Sequence, residues 1–410
     1  MLAAVSVALF GNYYAYDSIA PLADTLQRAL GFSDTQLGTL NAIYSLPNLV
    51  MVLVGGVLVD RVGPSRATAA FAVVCLLGTI LTAASPSFPV MAAGRLLFGL
   101  GAESMIVAVT VALGQWFVGR QLGLAFGLNV SVARAGSFTA DLSPTWFAPV
   151  YAGGWQPPLV LAAAFAATSV AAAVVYWRLE RSAARRFVLP GPAPADRLVW
   201  TDIRAFDRSY WYVVGLCVTF YSVVLPFRST FAIKYFQHAH GLSLEDAGAV
   251  NGSVYLAAIV ATPLFGLLAD RVGHRSALMT AGSACLALAF PVLGYTSWNV
   301  WVATVLIGIA FSLVPAVLWP VIPKLVPAER LGTAYGLMTL VQNVGLMGAN
   351  LVAGVVNDAA GASESNPSGY GSMLAFFFLL ALAGFVFAEA LRRRERGRHG
   401  HGLEAPDRRG

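Results

Sequence analysis

The sequence predicts an all-α polytopic membrane protein: twelve transmembrane helices in two six-helix, pseudo-symmetric bundles. Three observations predict it. Of 410 residues, 58% are hydrophobic and 11% charged, with a mean hydropathy of +0.70, whereas soluble domains average about 25% charged residues. Apolar runs of the length a bilayer crossing needs, about 20 residues, fill almost the whole chain. A sequence block recurs at a fixed offset, Gly56 and Asp60 returning as Gly266 and Asp270. This composition excludes a soluble globular enzyme and a disordered protein.

Read between polar breaks, the spans are 3–29, 35–59, 67–85, 88–118, 121–150, 155–178, 210–237, 243–269, 276–296, 298–323, 332–357 and 371–391. Several exceed 25 residues, so tilt or protruding ends are expected. The start lacks a basic n-region and its apolar run continues towards Leu26, so no cleavable signal peptide is expected. The segments divide into bundles at 1–178 and 210–391, a polar linker at 179–209 and a basic tail at 392–410.

Orientation follows from the basic residues, 24 of 26 of which are Arg. Arg61, Arg66, Arg120, Arg271, Arg275, Lys324 and Arg330 fall in even-to-odd loops. The linker adds Arg181, Arg185, Arg186, Arg197, Arg204 and Arg208 to the same side, and the tail follows from Arg392. The opposite loops hold Arg28 and Lys234. Both termini are therefore expected in the cytoplasm. The net charge of +6 is a topology signal, and no nucleic-acid partner is expected. Cys75, Cys217 and Cys285 lie in apolar runs without metal-ligand spacing and read as small buried hydrophobes. No metal or cofactor is expected.

The repeated block reads GVLVDRVGPSR at 56–66 and GLLADRVGHR at 266–275, each closing the second span of its half. This Gly-x-x-x-Asp-Arg-x-Gly pattern resembles the loop signature of the major facilitator superfamily. The resemblance implies two six-helix repeats with substrate held between them near the bilayer midplane. It also implies a glycine that permits close helix packing and a cytoplasmic charge latch made by Asp60 and Arg61, and by Asp270 and Arg271. Pro64-Ser65 before Arg66 loosens the first copy.

Ionisable groups inside spans are costly and each is a functional hypothesis. Asp17 lies in span 1, Arg95 and Glu103 in span 4, Arg134 and Asp141 in span 5, and Arg228 in span 7. Glu103 is the middle residue of 88–118 and Arg134 is next to the middle of 121–150, so the two share a bilayer depth. Asp17 is one residue from the centre of span 1, and Arg228 about five residues beyond that of span 7, roughly 7 Å at the helical rise. Two accounts of Glu103 and Arg134 stay open: a self-compensating buried ion pair, or a carboxylate and a guanidinium gripping the ammonium and carboxylate of a zwitterion. Arg95 opens Arg-x-x-x-Gly with Gly99, resembling the superfamily's span-4 signature, and reads as packing support or a coupling residue. Asp141 reads as a proton-linked or structural partner of Arg134. Tyr13, Tyr14, Tyr16, Tyr221 and Trp319 read as packing or as cavity aromatics.

The segments GNYYAYD (11–17), GRLLFGLGAES (94–104), QWFVGRQLGLAFGLNVSVARAGS (115–137) and LWPVIPKLVPAERLGTAYGLMTLVQNVGL (318–346) are similar to the lysosomal dipeptide uniporter family of that superfamily. The similarity covers spans 1–2, 4–5, 7–8 and 10–11. It implies a dipeptide uniporter in which Glu103 takes the peptide amino group and Arg134 its carboxylate. Family members sit in the lysosomal membrane and in animals work with a glycosylated accessory membrane protein; whether this chain has such a partner is open, and a monomer is expected. Against the family's pattern, no N-terminal cytosolic extension with an acidic dileucine-type signal is expected. The chain's Arg bias looks prokaryotic, which would place it in the plasma membrane. Arg228 is a further departure, and a positive cavity charge there would disfavour cationic dipeptides.

Three other readings compete. An organic-anion exchanger of the oxalate–formate kind would depend on Arg134 and Arg228, and a proton-coupled carrier would use Asp17 or Asp141. A non-transporting receptor or assembly partner would leave the duplicated signature without purpose. No HExxH, GxSxG or P-loop points to an enzyme. His238 and His240, at an external helix end, read as solvated.

Overall fold

The computed structural model describes residues 1–117, 121–183, 203, 206–296, 298–398 and 400–406, the side chains of residues 52 and 53 excepted. Arg120, Arg185, Arg186, Arg197 and Arg204, and most of the expected linker, lie outside the described residues. The chain forms two compact units, Met1–Asp196 and Arg197–Gly410.

Unit 1 contains α1 (Leu2–Asp17), α2 (Ala23–Leu30), α3 (Asp34–Ser45), α4 (Asn48–Val62), α5 (Pro64–Ala84), α6 (Phe88–Phe117), α7 (Leu122–Trp146), α8 (Ala148–Ala152) and α9 (Gln156–Ala183). Unit 2 contains α10 (Arg208–Pro226), α11 (Ala232–His240), α12 (Leu244–Val272), α13 (Arg275–Tyr295), α14 (Val300–Leu325), α15 (Leu331–Ala359) and α16 (Gly371–Glu395). Each of the twelve spans read from the sequence has a helical counterpart, and the described residues include no strand.

Among the described residues, nine helical runs are long and apolar enough to cross a membrane, and α3 with α4 makes a tenth as a bent pair. The first and fifth spans miss that test for different reasons. The fifth, α7, is diluted by Asn129, Arg134, Asp141 and its hydroxyl residues. The first is broken: α1 ends at Asp17 and a 3₁₀ turn at Ala20–Leu22 precedes α2. Pro21 has no N–H to return to the Asp17 carbonyl, so the helix cannot run through. Asp17, placed by its position in the sequence inside a continuous span, therefore sits at a helix end, fully buried.

Span 7 is distorted at the matching place but stays one helical run, Arg208–His240. Pro226 closes α10 and a π-helical turn, Phe227–Phe231, leads into α11. A proline that cannot donate to the preceding turn is a recognised cause of such a bulge. Arg228 lies within that turn. The 210-residue offset recurs in detail across the units. Gly31 and Gly241 end α2 and α11 with φ of 70° and 63°. Ser33 and Ser243 then cap α3 and α12, accepting from Gln36 N at 3.2 Å and Asp246 N at 3.0 Å. The repeat thus includes cap chemistry as well as the loop signature.

Asp270 pairs with Arg275 at 3.3 Å, and Arg271 is exposed. Asp60 is half-buried and Arg61 exposed. A Cβ built on Gly266 meets nothing within 4 Å, so that glycine is not a packing requirement. His238 is a further correction: it is buried, with Nδ1 2.8 Å from the Tyr370 hydroxyl, and His240 is half-buried beside Tyr235. Cys75 and Cys217 are buried and Cys285 partly so.

The segment expected as a basic tail is part of the unit 2 fold as far as residue 406. At its start Arg394 pairs with Asp207 at 2.6 Å, and Asp207 Oδ1 also caps α10 through Ser209 N at 2.9 Å. Burial pushes the Asp207 carboxyl up, but the Ser209 N–H and the Arg394 guanidinium outweigh it and bring it down to about 2. The pair is therefore ionised at any physiological pH. Glu395 turns the chain by accepting from His401 N at 2.7 Å. Glu404 then contacts His274 at 3.1 Å and the Ser276 hydroxyl, while Arg275 donates to Ala405 O at 2.9 Å. Between them Leu403 is fully buried. Burying a leucine contributes about 1.5–3 kcal/mol. Leu403→Asp is therefore expected to lower the melting temperature of the purified protein and to speed trypsin cleavage at Arg396 and Arg398; unchanged melting and cleavage would rule out a stabilising tail.

Candidate functional site

The charged residues of unit 1 are organised by α6. Arg95, Gly99 and Glu103 follow one another at four-residue spacing and so share one face of the helix. That face meets α3 and the broken end of α1. Arg95 is buried and donates to four acceptors: Leu40 O at 3.3 Å, Ala15 O at 3.2 Å, Tyr16 O at 3.2 Å and Asn41 Oδ1 at 2.6 Å. Two of these carbonyls are freed by the end of α1, because the helix does not continue to supply their i+4 donors. Its guanidinium also lies 5.3–5.8 Å from the ring centres of Phe98, Tyr16 and Tyr44. In this geometry Arg95 is the tie between α6, α3 and the α1 break.

One turn along, Gly99 lets α3 approach, since a Cβ there would strike the Tyr44 carbonyl oxygen. Tyr44 is packed against Tyr16, with ring centres 4.7 Å apart, and against Phe98 at 5.7 Å. Its hydroxyl donates to Glu103 Oε1 at 3.1 Å. Among the described residues this is the hydrogen bond that Glu103 receives. Glu103 itself is half-buried.

Arg134 is half-buried on α7, whose position is set by α1. A Cβ on Gly136 would strike the Phe10 carbonyl oxygen, and Asn129 Nδ2 donates to Ser6 Oγ at 3.1 Å. The half-buried Tyr13 of α1 lies within electrostatic reach of Glu103, Arg134 and Asp17 together. Tyr13 is thus the residue of α1 that senses Asp17, Glu103 and Arg134 alike, while Tyr44 is the one that contacts Glu103 directly. Asp141 is fully buried on α7, within electrostatic reach of Tyr151. Tyr14 is core, stacked on Phe165 at 3.9 Å.

In unit 2 the Arg228 guanidinium lies 3.6 Å from the Tyr255 ring centre, fully buried, and its carbonyl accepts from Asn251 at 3.1 Å. Next to it Thr230 donates to Asn350 Oδ1 at 2.7 Å. Trp319 Nε1 donates to the Tyr221 hydroxyl at 2.9 Å and stacks on Tyr335.

Sequence reasoning missed Asn41 and Tyr44. The signal available was their spacing alone: the two stand three residues apart on α3, on one face.

What this arrangement offers is an acid and a base at similar helical depth within one bundle, each half-exposed and each seated by a close-packed glycine. Carboxylate and guanidinium together match the two ends of a small zwitterion.

The description of the Major Facilitator Superfamily matches residues 5–235 and 227–409. The chain is 33% identical to the lysosomal dipeptide transporter MFSD1 of Danio rerio over 86% of its own length and 79% of the relative's. It is 32% identical to the Homo sapiens MFSD1, covering 86% and 78%. A more distant relative is the probable sulfoacetate transporter SauU of Cupriavidus necator, 24% identical over 87% and 85%. Among solved structures, a bacterial homolog to the human lysosomal transporter Spinster aligns with a TM-score of 0.76 at 14% identity, covering 100% of this chain and 98% of that one. The nucleoside transporter NupG aligns with a TM-score of 0.74 at 14% identity, covering 95% and 98%. This chain is a multi-pass membrane protein that belongs to the Major Facilitator Superfamily.

Proposed function

We propose that the protein carries dipeptides across the membrane by alternating access, as a uniporter, with Glu103 taking the peptide ammonium and Arg134 its carboxylate. The observation that carries this reading is that Glu103 and Arg134, each half-buried near the middle of α6 and of α7, both lie within electrostatic reach of Tyr13, in a chain about a third identical to dipeptide transporters. A carboxylate accepts from an ammonium through charge-assisted hydrogen bonds, and a guanidinium fork meets a carboxylate bidentately. The peptide backbone is then fixed at both ends while its side chains stay unspecified. No catalytic step and no cofactor is required, and transport follows the peptide gradient.

Bundles at 1–178 and 210–391 around a cytoplasmic linker at 179–209, with both termini cytoplasmic, accord with the placement of the arginines. Conformational change then alternates access between the two membrane faces, and the loops carrying Asp60, Arg61, Asp270 and Arg271 lie on the cytoplasmic side. Asp17 and Arg228 are further candidate substrate contacts, one from each unit, and Arg95 and Asp141 support the site from within unit 1 as candidate coupling residues. The protein acts as a monomer in the plasma membrane.

The test is uptake of a labelled dipeptide into proteoliposomes. Glu103→Gln and Arg134→Ala are each expected to abolish uptake while the purified variants keep wild-type melting. Normal uptake by either folded variant would overturn the assigned roles. A second reading, a carrier of small organic anions, is favoured by the similarity to SauU; it requires Arg134→Ala to abolish sulfoacetate uptake and Glu103→Gln to spare it.

A further inference from the structure

We infer that Tyr44 is a positioning residue for the ammonium subsite, its hydroxyl holding Oε1 of Glu103 so that the carboxylate is presented in one orientation to a single free amino group. The inference rests on the dipeptide reading and adds to it a residue on a different helix.

The Tyr44 hydroxyl is fixed by everything around it. Its ring is packed by Tyr16 and Phe98 and lies 5.8 Å from the buried Arg95 guanidinium. Its backbone is pressed on α6 at Gly99. One turn earlier on α3, Leu40 O and Asn41 Oδ1 are bound by the same Arg95. A side chain held on three sides loses little further entropy when it acts, which is the condition for a preorganised site.

Glu103, by contrast, is half-buried and reaches its position along a flexible side chain. Left alone, the carboxylate would sample several rotamers. With Oε1 engaged at 3.1 Å, the torsions of Glu103 are restricted and Oε2 becomes the acceptor presented to a ligand. A carboxylate with one oxygen already engaged suits a primary ammonium, which needs one strong acceptor. It suits a guanidinium less well, because bidentate pairing needs both oxygens. Tyr44 thereby steers this end of the site towards the peptide's α-amino group and away from the side chain of an arginine.

The experiment compares Tyr44→Phe with wild type for concentration-dependent uptake of alanyl-alanine in proteoliposomes. N-acetyl-alanyl-alanine, which has no ammonium, is added as a competitor. Loss of the hydroxyl with the ring retained is expected to raise KM about tenfold, equivalent to about 1.4 kcal/mol. Vmax and the melting temperature are expected to stay near wild type, and the inhibition constant of the acetylated peptide to change less than twofold. A KM within twofold of wild type in a folded Tyr44→Phe protein would overturn the inference and leave the dipeptide reading standing. An equal rise in KM and in the inhibition constant would reduce Tyr44 to packing and also overturn it. Absence of dipeptide uptake by wild type would overturn the parent reading, and this one with it.

Discussion

Gly99→Ala should cost the protein both stability and transport, whereas Gly114→Ala, on the same helix, should cost it neither. A methyl group at position 99 would strike the Tyr44 carbonyl oxygen and crowd the Tyr44 carbonyl carbon and Cα at 3.0–3.1 Å. All three are backbone atoms, so no side-chain rotation relieves the clash. Either α3 moves off α6 or α6 bends. Overpacking of this kind costs about 1–3 kcal/mol, sometimes more. The displacement also falls on the one segment that positions Glu103, so transport should drop further than the lost stability alone implies. At Gly114 a Cβ meets nothing within 4 Å. There alanine only removes the glycine's helix penalty, about 0.5–1 kcal/mol. Melting curves and dipeptide uptake of the two variants decide the matter. Equal behaviour would mean that the closeness of α3 and α6 is not what holds the site.

The span count was legible because apolar runs of bilayer length are a property of the sequence itself. The interruptions inside spans were not, because a hydropathy window averages over them. Pro21 and Pro226 are single residues within long apolar runs, yet one ends a helix beside Asp17 and the other precedes a π-helical turn that holds Arg228. A contact across a helix end was equally hidden: Asp270 pairs with Arg275, beyond the end of α12.

Composition misled at the C-terminus. Arg392, Arg393, Arg394, Arg396 and Arg398 dominate the segment, but its structure is set by Leu403 and Glu404. Their partners, His274, Arg275 and Ser276, lie 128 to 130 positions earlier, at the start of α13. Glu103 and Arg134 were legible as charges within apolar spans. Tyr44 stood out only by its spacing from Asn41, and its role needed the hydroxyl to be seen against a carboxylate.

Arg95 is where these limits meet, and its replacement by lysine is expected to be nearly as damaging as its replacement by methionine. From the sequence it had two readings, packing support and coupling. The deciding acceptors are backbone carbonyls exposed by a helix break that the sequence did not reveal. The guanidinium reaches Leu40 O on α3 and Ala15 O and Tyr16 O at the end of α1 at once, because its donors are spread over a rigid plane. A lysine ammonium offers its donors from a single point. It would leave the Tyr16 carbonyl at the α1 break without its donor, at a cost of about 1–3 kcal/mol, whereas Ala15 O keeps the Ser18 hydroxyl at 2.9 Å and Leu40 O its place in the α3 ladder. It would also remove the flat cation from among Tyr16, Tyr44 and Phe98. The expected result for Arg95→Lys is therefore poor recovery of folded protein, a lowered melting temperature and no measurable uptake. A charge needed only for coupling would behave differently: lysine would keep wild-type melting and retain transport with altered kinetics. If Arg95→Lys melts like wild type, the tie between α6 and the α1 break is not structural, and Glu103 must owe its placement to some other contact.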